Sequence, residues 1–212
     1  MGKIEIEVKD IKIGKIVVKN CVVMESEEAF KDKILSYIKF LTVREREDNL
    51  KKSVRNMLRF GKYKPSGRGK PASEYLLESA KEGKFPFINN FVDALNFVSL
   101  KSGLPISMID NKKAGTGNLR IRRGKSGEKY VFNQSGQILD LEDLLLTATL
   151  ERNEPVATPV KDSQKTKIDE KSKEVTAIIY SPFSLENDLK NALFELTEIY
   201  EKMGKVDEST LF

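Results

Sequence analysis

The sequence predicts an α+β fold on three observations. Near the N-terminus Ile4, Ile6 and Val8 alternate with Lys3, Glu5, Glu7 and Lys9. That is the period of a strand with one buried face. Apolar residues then recur at spacings of three and four, as in Phe30, Ile34, Tyr37, Ile38 and Leu41, and again in Leu185, Leu189, Leu193, Leu196, Tyr200 and Met203. That is the spacing of amphipathic helices. Finally, Val175 to Tyr180 is a short apolar run of the kind that forms a buried strand.

The elements follow in order. Ile11, Ile13, Ile16 and Val18 continue the strand pattern across Gly14, and Ser26 is a natural cap for a helix starting near Glu27. A second helix is expected from about Arg46 to Phe60, with Leu50, Val54, Met57 and Leu58 inward and Gly61 ending it. Residues 62–70 read as a loop, and Pro71 suits the first turn of a short helix through Tyr75, Leu76 and Leu77. Asn89 or Asn90 caps the next helix, which carries Val92, Leu95, Asn96 and Ser99 and stops at Gly103-Leu-Pro105. Strands and turns are expected from Asn118 to about Val160, punctuated by Gly124, Gly127 and Gly136. Ser184 is placed to cap the last helix, Gly204 closes it, and residues 205–212 read as a frayed tail.

With 212 residues, 39% hydrophobic and 33% charged, the chain is globular. No Pro- or Ser-rich linker divides it. Residues 1–43 are therefore expected as strands and a first helix docked on a main unit, 44–204. The single cysteine, Cys21, forbids an intrachain disulfide. With no apolar leader, it points to a reducing, cytoplasmic location. The apolar stretches fall short of the roughly 20 residues that span a bilayer, so no membrane partner is expected.

The absence of histidine excludes Ser-His-Asp and Cys-His hydrolases, His general bases and His-ligated zinc, and one cysteine excludes a thiolate zinc site. No metal or cofactor is expected. Catalysis must then rest on carboxylates, hydroxyls, lysines, backbone amides, a cation on oxygen ligands or a group on the substrate.

The net charge of +5 is unevenly spread. Between Asn49 and Pro71 stand eight bases and no acid: Lys51, Lys52, Arg55, Arg59, Lys62, Lys64, Arg68 and Lys70. Arg55, Arg59 and Lys62 share one helical stripe, with Lys51 one turn earlier. A second acid-free run, Asn111 to Gly127, carries Lys112, Lys113, Arg120, Arg122, Arg123 and Lys125. Rows of like charge are costly unless solvated or neutralised, and a phosphate backbone neutralises them. Tyr63 is suited to stacking on a base or to packing against its own loop. Gly115-Thr-Gly117 and Ser66-Gly-Arg-Gly69 lack the spacing of a P-loop or dinucleotide fingerprint and read as turns.

Residues 88–110 carry Val92-Asp93, Asn96-Phe97, Gly103-Leu-Pro105 and Asp110. Leu119-Arg-Ile-Arg122 and Gly127-Glu128 follow. This order resembles the signature of the editing, or tRNA-binding, domain in the β subunit of phenylalanyl-tRNA synthetase. Tyr63-Lys-Pro-Ser66, Glu74-Tyr-Leu-Leu77 and Thr166-Lys-Ile168 are similar to free-standing members of that family. The resemblance covers about residues 44 to 204. It implies a mixed sheet or β-sandwich core packed with helices, a pocket for the aminoacylated 3′ end of tRNA, and hydrolysis of a mischarged aminoacyl ester. No synthetase catalytic module fits in 212 residues, so aminoacylation is not expected. Two departures stand out: Ser107 replaces the pocket His, and the pocket Glu falls on Thr176 or Ile178.

The resemblance thus assigns Asn96 and Ser107 to orienting the attacking water or the carbonyl, and Asp110, Glu128 and Thr176 to holding the substrate. The free hydroxyl of the terminal ribose would help orient the water. Three readings follow: a trans-acting deacylase of mischarged tRNA, a tRNA- or RNA-binding module without chemistry, and an amino-acid binder with solvated basic runs.

Overall fold

In a computed structural model the structure describes residues 2–41 and 48–212. Two four-stranded sheets and six helices organise them. The strands are β1 (Ile4–Ile6), β2 (Ile11–Lys19), β3 (Ile106–Asp110), β4 (Leu119–Arg123), β5 (Lys129–Val131), β6 (Ile138–Asp140), β7 (Leu145–Thr149), β8 (Pro155–Ala157), β9 (Glu174–Pro182) and β10 (Lys205–Leu211). The helices are α1 (Glu28–Leu41), α2 (Asp48–Leu58), α3 (Ala72–Lys81), α4 (Asn90–Ser102), the single turn α5 (Asn111–Ala114), and α6 (Glu186–Tyr200). The fold is the expected α+β class.

One sheet has the order β1-β4-β7-β8 and is mixed, because β1 runs parallel to β4. The other, β10-β2-β9-β3, is antiparallel. Ile13, Ile16 and Ile178 of one sheet share a core with Ile121 and Leu146 of the other. A buried hydrogen bond joins Thr147 of β7 to the Tyr180 hydroxyl of β9 at 2.7 Å. A second apolar cluster, Ile34, Ile38, Leu76, Phe97 and Leu100 among them, holds α1, α3 and α4 together.

The N-terminal strands were expected as an addition docked on the main unit; instead they are built into the sheets. Strand β2 pairs with β9 over its whole length, from Ile11 opposite Pro182 to Lys19 opposite Glu174. The other sheet covers one of its faces and α6 the other, which explains why its buried pattern is near-continuous rather than alternating. Gly14 lets α6 approach: a Cβ there would meet Leu189 and Leu193 at 3.1 and 3.2 Å.

The frayed tail is also corrected. Residues 205–211 form β10, paired with β2 and bulged between Val206 and Glu208. Past the bulge, Glu208 stands opposite Val17 and its buried carboxylate reaches the fully buried Lys15 ammonium, with Nζ–Oε2 2.9 Å. A tail with this polar content looked solvated, but the partner of its carboxylate lies 193 residues away in sequence.

Two caps differ from expectation. The Ser26 hydroxyl donates to Asp93 at 2.6 Å, fastening the segment before α1 to α4 rather than capping α1. Ser184 lies in a short 3₁₀ turn, and α6 starts after Leu185 with no side-chain cap, supported by Glu186 and Asp188 in its first turn. Asn89 does cap α4, accepting from the Val92 N–H at 3.0 Å, and Gly103 closes it in the left-handed conformation. Pro71 stands one position before α3, as its N-cap. Positions 46 and 47, where the second helix was expected to begin, lie outside the described residues.

Candidate nucleic-acid interface

Helix α2 buries Val54, Met57 and Leu58 and turns its basic stripe outward, as its spacing requires. Its C-terminal carbonyls are capped by Arg123 of β4, which donates to Met57 O at 2.9 Å and Leu58 O at 3.2 Å. The guanidinium also lies over the Phe60 ring, 4.9 Å from its centroid. Cations are favoured at this end of a helix dipole.

Beyond α2 the chain turns at Gly61, which has φ +48°; a Cβ there would meet the Asp143 carboxylate at 2.1 Å. Asp143 accepts the Lys62 N–H at 2.8 Å, and Glu142 pairs with the Lys62 ammonium at 2.8 Å. Tyr63 folds back and donates to Gly69 O at 2.5 Å. Burial pushes its hydroxyl pKa up, so it stays a donor. Tyr63 therefore packs against its own loop.

These restraints shape a cleft of about 300 Å³ lined by Arg55, Arg59, Tyr63, Lys64 and Ser66, together with Gly61 and Pro65, and, among the described residues, by no acid. Four of the residues expected to bind RNA meet here. The neighbouring bases differ in how free they are. Arg55 makes a two-pronged ion pair with Glu74, at 2.7 and 2.6 Å, with Lys51 on the same carboxylate at 3.6 Å. Lys70 pairs with Glu78. Arg59 donates only to Asn56, while Lys52, Lys64 and Arg68 are exposed and pair with no acid among the described residues.

The arginines of the second basic run are engaged within the fold. Arg122 is 3% exposed. It makes a two-pronged pair with Glu128 at 2.8 and 2.8 Å and also donates to Asn153. Arg120 is claimed by Glu5 and Glu7 at 2.9 and 3.0 Å. Arg123 is the α2 cap. Partners brought close by the fold, carboxylates for Arg120 and Arg122 and helix carbonyls for Arg123, engage these arginines in a way that an acid-free stretch of sequence does not reveal.

The expected pocket residues do not converge. Ser107 of β3 stands opposite Ile178 of β9, and Ile109 opposite Thr176. Ser107 and Thr176 therefore share one sheet face, and Asp110 lies on the other. Ser107 donates to Thr158 O at 3.1 Å, and Thr176 to Asn111 at 2.9 Å. Asp110 caps α5 and accepts from the Ser172 hydroxyl at 2.5 Å. Glu128 is occupied by Arg122 and by the Lys125 N–H. Burial works to raise its carboxyl pKa, but these donors outweigh it and hold the pKa below the ordinary value. Glu128 and Asp110 are thus committed within the fold rather than waiting for an amino group. Asn96 is half-buried on α4 and makes no side-chain hydrogen bond among the described residues.

Sequence reasoning missed Asp162. It lies on the loop after β8 and accepts from the N–H groups of Met108 and Thr158 at 3.1 and 3.3 Å. Burial pushes its pKa up to about 6, against the Ser107 hydroxyl and those two amides, which lower it. No periodicity marks a loop Asp, so only the closing of that loop on β3 reveals it.

Among the described residues, no helix is long and apolar enough to cross a membrane. Residues 64–184, more than half of the chain, match the B3/4 domain family. The chain is 36% identical over 90 residues to the phenylalanine–tRNA ligase β subunit of Streptococcus pneumoniae, covering 42% of this chain and 11% of that protein. It is 35% identical over 109 residues to the β subunit of Streptococcus mutans, covering 50% of this chain and 13% of that protein. It thus spans only a small part of these curated relatives. An N-terminal fragment of the phenylalanyl-tRNA synthetase β subunit from Pyrococcus horikoshii shares the fold, with TM-score 0.54 and 11% identity over 100% of this chain and 55% of that one. The match over residues 64–184 includes strands β3 to β9, all five expected pocket residues and, of the basic cleft, Lys64, Pro65 and Ser66, and by it the chain belongs to the B3/4 domain family.

Proposed function

We propose that this chain binds tRNA on the open face formed by α2 and the loop that follows it. The observation that carries this reading is the cleft of Arg55, Arg59, Tyr63, Lys64 and Ser66, lined by no acid among the described residues and shaped by the distant Asp143 and by Tyr63 folding back on Gly69. Arg59 and Lys64, exposed at this cleft and paired with no acid among the described residues, are left for a phosphate backbone. The relatives' β subunits belong to a tRNA ligase, which favours tRNA over other polyanions. The test is equilibrium binding of purified protein to tRNA across a salt series. Affinity should fall steeply, with a log–log slope of several units. Salt-independent or absent binding would sink the reading, and would leave amino-acid binding as the survivor.

A second reading, hydrolysis of the ester of mischarged tRNA in trans, is favoured by one specific arrangement. The Ser107 hydroxyl adjoins the Asp162 carboxylate, whose pKa near 6 suits a general base at neutral pH. In this reading Asp162 orients or deprotonates the water, a role expected of Asn96 and Ser107. Ester loss from a panel of mischarged and correctly charged tRNAs separates the two readings. Selective deacylation that rises as pH passes about 6 and disappears in Asp162→Asn supports hydrolysis. Salt-sensitive binding with no ester loss above buffer makes the chain a binding module.

A further inference from the structure

The loop that carries Asp162 brings a base, Lys161, to the first basic run, which is remote from it in sequence. Tyr75 joins the two: its hydroxyl donates to Gly67 O at 2.9 Å, next to Arg68, and the Lys161 ammonium lies 5.8 Å from its ring centroid. Burial lowers the Lys161 pKa, and the charge of Arg68 acts in the same direction. Neither side chain pairs with a carboxylate among the described residues, in contrast to Lys51, Arg55, Lys62 and Lys70 of the same run.

The backbone at both cations is pinned by neighbouring hydroxyls. The Lys161 carbonyl accepts from the Tyr130 hydroxyl at 2.5 Å and from Thr158 Oγ1 at 2.8 Å, and its N–H donates back to Thr158 Oγ1 at 3.0 Å. Arg68 sits in the turn Gly67–Gly69, whose carbonyls accept from Tyr75 at 2.9 Å and Tyr63 at 2.5 Å. The Lys161 ammonium lies over Phe132, 4.1 Å from the ring centroid, and 5.8 Å from that of Tyr75. The rings hold it as a cation without neutralising it. Two like charges on pinned backbones repel one another, and an anion between them removes that cost.

We propose that Arg68 and Lys161 form an anion subsite that takes one backbone phosphate of RNA lying along the α2 cleft. This rests on the RNA-binding reading above and extends the bound strand from the cleft, across the Gly67–Gly69 turn, to the loop after β8.

Two measurements test it on the full chain. In the first, tRNA affinity is measured against salt for wild type, Arg68→Gln, Lys161→Gln and the charge-keeping Lys161→Arg. Each Gln variant should lower the log–log slope by about 0.7–0.9, the value of one phosphate contact, while Lys161→Arg keeps it. In the second, inorganic pyrophosphate is titrated into protein with ¹³C-methylated lysines. The Lys161 signal, assigned by its loss in Lys161→Gln, should shift saturably and stop shifting in Arg68→Gln. Unchanged slopes in both Gln variants overturn the assignment to RNA, even if pyrophosphate still moves Lys161, which would make this a site for free phosphate. A wild type that fails to bind tRNA but shows the pyrophosphate shift overturns the RNA reading and leaves an anion site. No shift together with unchanged slopes overturns the subsite itself.

Discussion

The two basic runs look alike in sequence and differ in the fold. In residues 49–71 the charge is partly restrained by Glu74, Glu78 and Glu142, yet Arg59, Lys64 and Arg68 keep their faces to solvent around a formed cleft. In residues 111–127 the three arginines serve the structure: Arg120 ties β4 to β1, Arg122 is buried against Glu128, and Arg123 caps α2. The comparison teaches that a run without acids has no local neutralisation, which is different from having none. An ion pair needs only proximity in space, and the strands and turns of residues 119–128 supply it.

The largest effect is expected where a charge is buried. Glu128→Ala strands the Arg122 guanidinium and should cost about 3 kcal/mol in denaturant unfolding. A loss under about 0.5 kcal/mol would mean that the second run is as solvated as the first.

Next come Arg59→Gln and Lys64→Gln. Each should leave stability within about 0.5 kcal/mol of wild type and lower the salt slope of tRNA binding by about 0.7–0.9. If Arg120→Gln lowered the slope equally, the division between the runs would fail. Gly61→Ala probes the turn that shapes the cleft. A left-handed residue against Asp143 should lose about 1–2 kcal/mol, with weaker tRNA binding at a temperature where the variant is still folded.

The smallest effect is in pH. Glu128 has its pKa lowered in the fold. Its pair therefore contributes fully above the unfolded carboxylate pKa and is lost as pH falls through the lower, folded value. Thermal melts of wild type should show this acid loss, and Glu128→Gln should flatten it. Identical acid limbs would show that the pair contributes nothing to the pH dependence.

Helix α4 was legible in the sequence because its signals are local: Asn89 reaches the Val92 N–H three residues on, and Gly103 ends the helix by its own backbone freedom. The pocket was less legible. A resemblance aligns Ser107, Asp110, Glu128 and Thr176 with a site, but cannot say which way each faces. Pairing of β3 with β9 puts Asp110 on the opposite face from Ser107 and Thr176, and Arg122 fills Glu128.

By itself the sequence determined the periodicities that make strands and helices, the exclusion of histidine chemistry and of a thiolate zinc site, and the concentration of positive charge between Asn49 and Pro71. These depend on residue type and near neighbours. Only the tertiary structure decided that residues 205–211 complete a sheet, that Arg122 is buried, and that the Lys161 ammonium and the Gly67–Gly69 turn meet at Tyr75. Each of these joins groups far apart in the chain. Strand pairing, ion pairing and cation repulsion act through space at a few ångströms, and no local pattern of residues encodes which distant groups the fold will bring that close.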